Sequence, residues 1–237
     1  TVRAIAEIAR AHRRRMPATV LGLTGSCGKT TTKDMMRAIL ERVGPTLATE
    51  GNLNNHIGVP FTLFGLRPEH RFAVVEMGCN HPGEIAALAA IAEPTIGLIT
   101  CVAPAHLEGL GSLEGVARAK GELFQALDRP DATAVINADD PRVAALPTGK
   151  ARRITVGATK AADVRIGPVG VVGGRQRFVL GLPGGTEASV ELSLSGRHLV
   201  TDAALAAAAA FAAGAGPTEI AAGLASITPA RHRGEIH

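Results

Sequence analysis

The sequence predicts an α/β fold: a P-loop-type, mostly parallel sheet flanked by helices, with a small antiparallel β annex. Three observations carry this prediction. Apolar runs of strand length alternate with helical patterns through residue 157, which is typical of a parallel sheet covered on both faces. A glycine-rich turn joins the first of these strands to a helix. From residue 163 onwards, short strand-like runs separated by glycine-containing turns indicate antiparallel hairpins.

The elements of the predicted core follow one another regularly along the chain. An amphipathic helix over residues 1–15 comes first, and Pro17 separates it from the apolar strand at 20–23. The next helix carries apolar residues at helical spacing, and a polar segment rich in turn formers lies at 50–55. The alternation then predicts strands at 45–49, 72–77, 95–102 and 132–136, and helices at 57–66, 83–92 and 112–127.

We interpret the chain as one domain, residues 1–237, built from four successive parts. These parts are a leading helix at 1–17, a P-loop α/β core at 18–157, a β annex at 163–195 and closing helices at 197–228. The annex is predicted to contain three strand-like runs. The first closing helix is rich in alanine, which has the highest helix propensity.

The composition favours a globular cytoplasmic protein and argues against nucleic acid or a membrane as partner. Hydrophobic residues make up 46% of the chain, but six Phe with no Trp or Tyr leave little aromatic surface for base stacking. The net charge of +4 is spread along the sequence, and the longest apolar run, residues 203–213, is too short to span a bilayer. Three cysteines without CxxC spacing predict reduced thiols.

The stretch VLGLTGSCGKTTT at residues 20–32 is the strongest functional signal. Glycines allow backbone N–H groups to converge on phosphate oxygens, and a helix N-terminus adds its positive end. Lys29 supplies a point charge, and the Thr30 hydroxyl can hold Mg²⁺. One departure from G-x-x-x-x-G-K-[ST] is that Leu23 stands where the first glycine belongs. The predicted phosphate-binding residues are Gly25, Ser26, Cys27, Gly28, Lys29, Thr30 and Thr31.

Two interpretations of this stretch stay open. It is either a phosphate-binding loop or a glycine-rich turn between strand and helix that binds nothing. The position of Cys27 at a helix N-terminus rich in N–H donors predicts a thiolate, and hence the most reactive of the three cysteines.

Polar side chains follow several of the other predicted strands. Glu76 ends one strand, His106 follows the next, and Asn137 follows the one after that. Because ligands of open parallel sheets bind beyond the carboxyl ends of the strands, we expect these groups near the phosphate loop. Glu76 and Thr30 would be suitable oxygen ligands for Mg²⁺. The alternatives are a salt-bridged or capping carboxylate at Glu76 and a structural histidine at 106.

Five motifs occur in the order found in the Mur ligases, the ATP-dependent amide-bond synthetases of peptidoglycan assembly. They are TGSCGKTT at 24–31, GNLNN-x-IGVP at 51–60, EMG at 76–78, AHL at 105–107 and AKGE at 119–122. The sequence resembles this family over nearly the whole chain. The resemblance implies an ATP-binding central domain that works with Mg²⁺ and forms an acyl phosphate.

The resemblance also implies roles for single residues. Lys29 and Thr30 would hold phosphate and a first Mg²⁺ together with Glu76, and His106 would be a ligand of a second Mg²⁺. Lys120, which by itself would be taken for a surface lysine, matches a lysine that becomes N-carboxylated in several members. Lys29, His106 and Lys120 are therefore the implied catalytic residues.

Further implied contacts concern the bound nucleotide and the substrate. Asn137 matches a residue that hydrogen-bonds adenine, and Asn52, Asn54 and Asn55 lie where the family lines its UDP-substrate region. The GNLNN-x-IGVP run most resembles the member that adds D-alanyl-D-alanine to the UDP-muramoyl tripeptide, which names the implied partners. The resemblance also implies that the family's N- and C-terminal ligase domains are absent from these 237 residues, and we therefore expect that the isolated domain does not ligate.

Other functions remain open at this point. A Mur-like ligase with another acceptor, such as a folylpolyglutamate or cyanophycin synthetase, would share the same ATP chemistry. A nucleotide-binding module without catalysis belongs to a different class. The sequence also departs from the family at four positions, where other residues are usual: Cys27, His56, and Leu199 and Asp202 in place of the two asparagines of G-R-H-N-x-x-N-A.

Overall fold

The computed structural model describes residues 1–193 and 196–228, and within these ranges ten strands form one sheet. Seven strands run parallel to one another: β1 (Thr19–Thr24), β2 (Thr46–Ala48), β3 (Phe72–Glu76), β4 (Ile96–Ile99), β5 (Thr133–Asn137), β6 (Arg152–Gly157) and β7 (Val164–Ile166). Three strands pair antiparallel: β8 (Gly170–Val172), β9 (Arg175–Gly181) and β10 (Glu187–Leu192). The order is β10-β9-β7-β6-β5-β4-β1-β3-β2, with β8 paired to β9.

Helices cover both faces of this sheet. On one face lie α2 (Lys29–Leu40), α8 (Arg197–Ala212) and α9 (Pro217–Ala225). On the other lie α1 (Val2–Arg14), α3 (Gly58–Phe64), α4 (Glu84–Ala92), α5 (Leu107–Leu110), α6 (Leu113–Gln125) and α7 (Pro141–Ala144). The predicted α/β class with helices on both faces is confirmed.

The central strands β1, β3, β4 and β5 contribute side chains to two separate hydrophobic cores. Leu21 and Leu23 of β1 pack on the α2 side, whereas Val20 packs on the α4 and α6 side. Val74 and Val75 of β3 divide in the same way. Because successive side chains of a strand point to opposite faces, burial on both faces requires continuous apolar runs.

The alanine-rich helix α8 is the closest-packed element of the α2 side. Residues 203–210 are fully buried against the sheet and α2. Small side chains allow this close approach, and Gly223 of α9 serves the same purpose, because a Cβ there would clash with the backbone of Ile39. In the part of the chain that the structure describes, no helix has the length and apolar character needed to cross a membrane.

Strand β4 ends at Ile99, three residues before the predicted end. The following residues leave the sheet and run against the phosphate loop instead. Thr100 N donates to Thr24 O at 3.0 Å, and Ser26 N donates to Cys101 O at 2.9 Å. The apolar character of the run reflects burial under the loop rather than strand pairing.

The predicted antiparallel annex is a continuation of the main sheet. Strand β7 pairs parallel with β6 and antiparallel with β9, so the change of direction occurs within one sheet. The segment contains four strands rather than three, because β8 is a separate short edge strand. Residues 194–195 at the predicted end of the annex lie outside the described residues, as do residues 229–237 of the domain.

Candidate functional site

Four parallel strands end at the same edge of the sheet, and the predicted site residues follow them. The register pairs Leu23 of β1 with Glu76 of β3, and Thr24 with Ile99 of β4. The phosphate loop therefore leaves the sheet directly beside Glu76. This edge is where an open α/β sheet binds ligands.

The phosphate loop adopts a backbone that its glycines make possible. Gly28 precedes α2 in the left-handed region, with φ of 78°. A Cβ on Gly25 would collide with the side chain of Thr100. Lys29 Nζ donates to Gly25 O at 2.9 Å, so its ammonium lies over the loop. The first turn of α2 consists of a lysine and three threonines, which leaves a positive helix end for an anion.

The carboxylate of Glu76 is buried, with 2% of the residue exposed. Its Oε1 accepts a hydrogen bond from Asn54 Nδ2 at 2.9 Å, and its backbone N–H donates to Thr49 Oγ1 at 3.0 Å. Among the described residues, no hydrogen-bond partner contacts Glu76 Oε2. A buried carboxylate oxygen without a partner is costly unless a cation or another donor binds it. The Glu76 side chain therefore fits a metal ligand.

A cavity of about 380 Å³ opens beside the phosphate loop and brings five of the predicted site residues together. Its lining includes Lys29, Asn54, Asn55, His106 and Lys120. Lys120 is 2% exposed, so the surface alternative for this lysine is wrong. Burial lowers the pKa of Lys120, and the nearby Lys29 lowers it further, while Cys79 acts in the opposite direction.

His106 lies in a strained backbone conformation at the rim of this cavity. Its φ is 53°, in the left-handed region that non-glycine residues seldom adopt. The residue is exposed and precedes the short helix α5. Strain of this kind often occurs at functional sites, because the surrounding structure must support it.

Two predicted site residues, Asn137 and Asn55, also have structural roles, and a third, Asn52, lies apart from the cavity. Asn137 is buried, and its amide donates to Thr100 O at 2.7 Å and accepts from Asp139 N at 3.1 Å. Asn55 Oδ1 accepts from the first backbone N–H groups of the 57–64 segment and so caps α3. Asn52 is exposed and does not contribute to the described lining of the cavity.

The position of Asp202 was not predicted from the sequence, where this residue stands out only as a departure from the family pattern. Asp202 of α8 is 7% exposed, and its carboxylate lies against Gly28 of the phosphate loop. Burial raises the pKa of Asp202 to about 6, with His198 and the Thr32 hydroxyl acting in the opposite direction. A carboxyl group thus lies beneath the loop expected to hold phosphate.

A second cavity, of about 800 Å³, was also missed. It lies between the segment after β5, the β7–β8 connection and the start of α8. Its polar lining consists of Asp139, Gln176, Arg197 and Thr201, and Val169 and Val200 belong to its apolar lining. No local sequence signal unites these residues, because they come from elements far apart in the chain.

The prediction of a favoured thiolate at Cys27 is wrong. Burial and the adjacent thiol of Cys101 raise the pKa of Cys27 to about 11. The N–H groups of the helix N-terminus do not compensate for these two effects. At neutral pH the thiol of Cys27 is therefore protonated.

Comparison with known proteins agrees with these observations. The chain matches the Mur ligase middle domain family over residues 23–210. It is 42% identical over 228 residues to the UDP-N-acetylmuramoyl-tripeptide–D-alanyl-D-alanine ligase of Escherichia coli (strain K12), covering 94% of this chain and 50% of the relative.

Two solved structures extend the comparison. A crystal structure of MurF from Acinetobacter baumannii superposes with a TM-score of 0.91 at 35% identity, covering 98% of this chain and 51% of that one. The crystal structure of MurF ligase from Thermotoga maritima in complex with ADP gives a TM-score of 0.80 at 26% identity, with coverages of 93% and 52%.

The chain spans about half the length of the curated relatives it matches. The family match covers most of the chain, including the phosphate loop, the Glu76 strand and the cavity residues. On this basis the chain belongs to the Mur ligase middle domain family.

Proposed function

We propose that this chain is the ATP-binding middle domain of a ligase that adds D-alanyl-D-alanine to a UDP-muramoyl tripeptide. The observation that carries the proposal is the arrangement of Lys29, Glu76 and Lys120 around one edge of the sheet, beside a phosphate loop. The name of the relative from Escherichia coli supports the choice of substrates. The division of the chain into four parts is also part of this proposal. These parts are the leading helix at 1–17, the P-loop α/β core at 18–157, the β annex at 163–195 and the closing helices at 197–228.

The phosphate loop would bind the phosphates of ATP through the backbone N–H groups of residues 25–31. Lys29 would exchange its present bond to Gly25 O for a phosphate oxygen, because a charged acceptor is the stronger partner. Phosphoryl transfer needs positioning and charge neutralisation more than covalent help from a protein. The substrate carboxylate would attack the γ-phosphate, and the amine would then displace phosphate from the resulting acyl phosphate.

Thr30 and Glu76 would hold Mg²⁺, which would neutralise charge on the phosphates when bound. Within residues 1–193 and 196–228, no three His, Cys, Asp or Glu side chains form a metal cluster. The two proposed ligands, Thr30 and Glu76, suit Mg²⁺, which proteins often bind through one or two side chains plus phosphate and water oxygens. Asn54 would act as a positioning residue, because its amide orients the carboxylate of Glu76. His106 would be a ligand of a second Mg²⁺.

The adenine ring would occupy the second cavity. Asn137 holds the segment after β5 against Thr100, and Asp139 of that segment lines the cavity. The apolar lining supplied by Val169 and Val200 suits a flat base, and the polar groups at the rim suit its ring nitrogens and ribose. Asn52, Asn54 and Asn55 would face the UDP-substrate.

The Glu76→Gln and His106→Ala variants test the metal assignment. In the presence of Mg²⁺, we expect Glu76→Gln to weaken ATP binding by about tenfold and His106→Ala to weaken it less, because each removes one ligand. With EDTA both should bind like the wild type. Isothermal titration calorimetry measures the affinities, and His12→Ala is the matched control, since His12 contacts Leu66 O away from the site. If His106→Ala behaves as His12→Ala does, His106 is structural.

Lys120 would be N-carboxylated and supply an anionic oxygen at the second metal. Carboxylation requires the neutral amine, and burial favours that form by lowering the pKa of Lys120. We expect ¹³C-labelled bicarbonate to give a carbamate signal in NMR spectra that disappears in Lys120→Met. The other buried lysine, Lys33, provides the control, because it is paired with Asp34 at 3.3 Å. Persistence of the signal in Lys120→Met would remove the assignment.

The ligase activity requires a test in a complete enzyme. We propose to replace the middle domain of the Escherichia coli relative with residues 1–237 and to measure formation of UDP-muramoyl pentapeptide from ATP, tripeptide and D-alanyl-D-alanine. The chimera should form the product, and the same chimera with Lys29→Ala should not. The 237 residues alone should form none, because ligation needs the carboxylate, phosphate and amine held within reaction distance.

Two alternatives have less support. A ligase of the folylpolyglutamate or cyanophycin type would use the same loop, but the relative matched at 42% identity is a tripeptide ligase. A nucleotide-binding module without catalysis would bind ATP and yield an inactive chimera. The product assay distinguishes the proposed function from both alternatives, because the chimera is supplied only with the substrates of the tripeptide ligase.

A further inference from the structure

Two cysteines meet at the phosphate loop. The Sγ atoms of Cys27 and Cys101 are 2.8 Å apart, although the residues are 74 positions apart in the chain. Cys27 belongs to the loop itself, and Cys101 belongs to the segment that follows β4. The third cysteine, Cys79, is buried elsewhere in the lining of the smaller cavity.

Three hydrogen bonds between the phosphate loop and the segment after β4 hold the two thiols close together. Ser26 N donates to Cys101 O at 2.9 Å, and the Thr100 hydroxyl donates to Cys27 O at 2.5 Å. Two residues beyond Cys101, Ala103 N donates to Ser26 Oγ at 2.9 Å. The sulfur atoms lie together because two backbone segments are fastened to each other on either side of them. Little backbone movement is needed to bring the sulfurs within bonding distance.

We propose that Cys27 and Cys101 form a thiol-modification site. At this site, a small disulfide of the glutathione disulfide class oxidises the two thiols to an intramolecular disulfide between the phosphate loop and the segment that follows β4. The bond would tie the phosphate loop covalently to the segment that leads to His106. Neither thiol takes part in the proposed ligase chemistry, in which the loop would bind phosphate through its backbone N–H groups.

The reaction proceeds by two thiol–disulfide exchanges. The thiolate of Cys27 attacks one sulfur of the reagent, giving a mixed disulfide and releasing one reagent thiolate. The thiolate of Cys101 then attacks the Cys27 sulfur, forming the Cys27–Cys101 bond and releasing the second reagent thiolate. The two protons lost by the cysteines end on the released thiols. The protein thiols are oxidised, and the reagent disulfide is reduced to two thiols.

The order of these steps follows from exposure. Cys27 is exposed, whereas Cys101 is half-buried behind it. Reagent should therefore reach Cys27 first, and Cys101 should act as the resolving thiol. Although Cys27 is exposed as a residue, partial desolvation of its sulfur and the neighbouring thiol raise the pKa of Cys27 to about 11. The first exchange is therefore expected to accelerate by about tenfold per pH unit as the pH rises towards this pKa.

The test is incubation of the reduced chain with glutathione disulfide at about pH 8.5, where the thiolate fraction is larger than at neutral pH. Intact mass and peptide mapping identify the products. The wild type should lose two thiols without keeping glutathione, and the cross-linked peptide should join Cys27 to Cys101. Cys79→Ser, the matched control, should behave in the same way.

Single substitutions of the pair decide the assignment. Cys101→Ser should keep one glutathione on Cys27, because the resolving thiol is gone, and Cys27→Ser should form no internal disulfide. A stable glutathione adduct on Cys27 of the wild type, or a disulfide that includes Cys79, would overturn the proposal. Each serine substitution replaces only the sulfur atom with oxygen, so we expect the variants to fold. Their thermal unfolding transitions check this expectation.

Repeating the reaction in the presence of ATP with Mg²⁺ distinguishes a failure of this proposal from a failure of the function proposed above. If ATP with Mg²⁺ binds the loop, it should slow the reaction at Cys27 severalfold in the wild type. In the Lys29→Ala variant, the nucleotide should leave the rate of this reaction unchanged. Equal rates with and without nucleotide would count against the nucleotide site alone. The thiol pair is tested by the mapped disulfide, which forms without nucleotide.

Discussion

Replacing Lys29 with alanine is expected to weaken the binding of ATP with Mg²⁺ by about 100-fold, or roughly 3 kcal/mol. The ammonium of Lys29 is already positioned over the loop by its 2.9 Å bond to Gly25 O. A phosphate at the loop would gain a charge-assisted hydrogen bond from this group, and such bonds are stronger than those between neutral partners. Isothermal titration calorimetry on the two proteins gives the difference directly.

The matched control for this variant is Lys150→Ala. Lys150 is exposed and precedes β6, so it lies at the opposite edge of the sheet from the phosphate loop. Its removal changes the net charge by the same amount and should leave the affinity unchanged. If Lys29→Ala and Lys150→Ala bind ATP equally well, the assignment of residues 25–31 to phosphate fails.

The second large effect is expected from Asp202→Asn, which should stabilise the fold by about 3 kcal/mol at about pH 7.5. Burial raises the pKa of Asp202 to about 6 from an ordinary value near 3.9. Above the folded-state pKa the buried carboxylate is ionised, and it then carries a desolvation cost that the unfolded chain does not have. An amide of the same shape avoids this cost. The melting temperature should rise by roughly 5–10 °C.

The sign of the pH dependence follows from the direction of the shift. Between the unfolded and folded pKa values the folded state binds more protons, so stability falls as the pH rises through this window. The gain from Asp202→Asn should therefore be about half as large at about pH 5 as at about pH 7.5. Thermal unfolding at both pH values measures it.

A surface carboxylate provides the control for Asp202. Asp131 is 72% exposed at its side chain and forms only a loose pair with Arg129 at 3.5 Å. We expect Asp131→Asn to change stability by less than about 1 kcal/mol at either pH. An Asp202→Asn protein that melts no higher than the wild type, or gains equally at both pH values, would contradict the explanation. The substitution also removes a negative charge beside Gly28, so it should favour phosphate binding.

Local patterns in the sequence were sufficient to predict the fold class and the glycine-rich turn between β1 and α2. Burial on both faces of a parallel strand requires an unbroken apolar run, and this requirement is visible in residues 72–76 without any knowledge of neighbours. Likewise, the backbone of a phosphate loop requires small residues next to Lys and Thr. The helix predicted at 112–127 also begins at a local signal, because the Ser112 hydroxyl caps α6 by accepting from Gly115 N at 3.1 Å within the same turn.

Contacts between distant segments were decided only by the tertiary structure. The bond from Asn54 to Glu76, the burial of Lys120, the position of Asp202 under Gly28 and the meeting of Cys27 with Cys101 each join different elements. The pairing of β7 with both β6 and β9 is of the same kind. Local periodicity reports which face of an element is buried, but the order of strands in the sheet determines what that face meets. The chemical types of the site residues were therefore predictable, whereas their partners and the resulting pKa shifts depend on the fold.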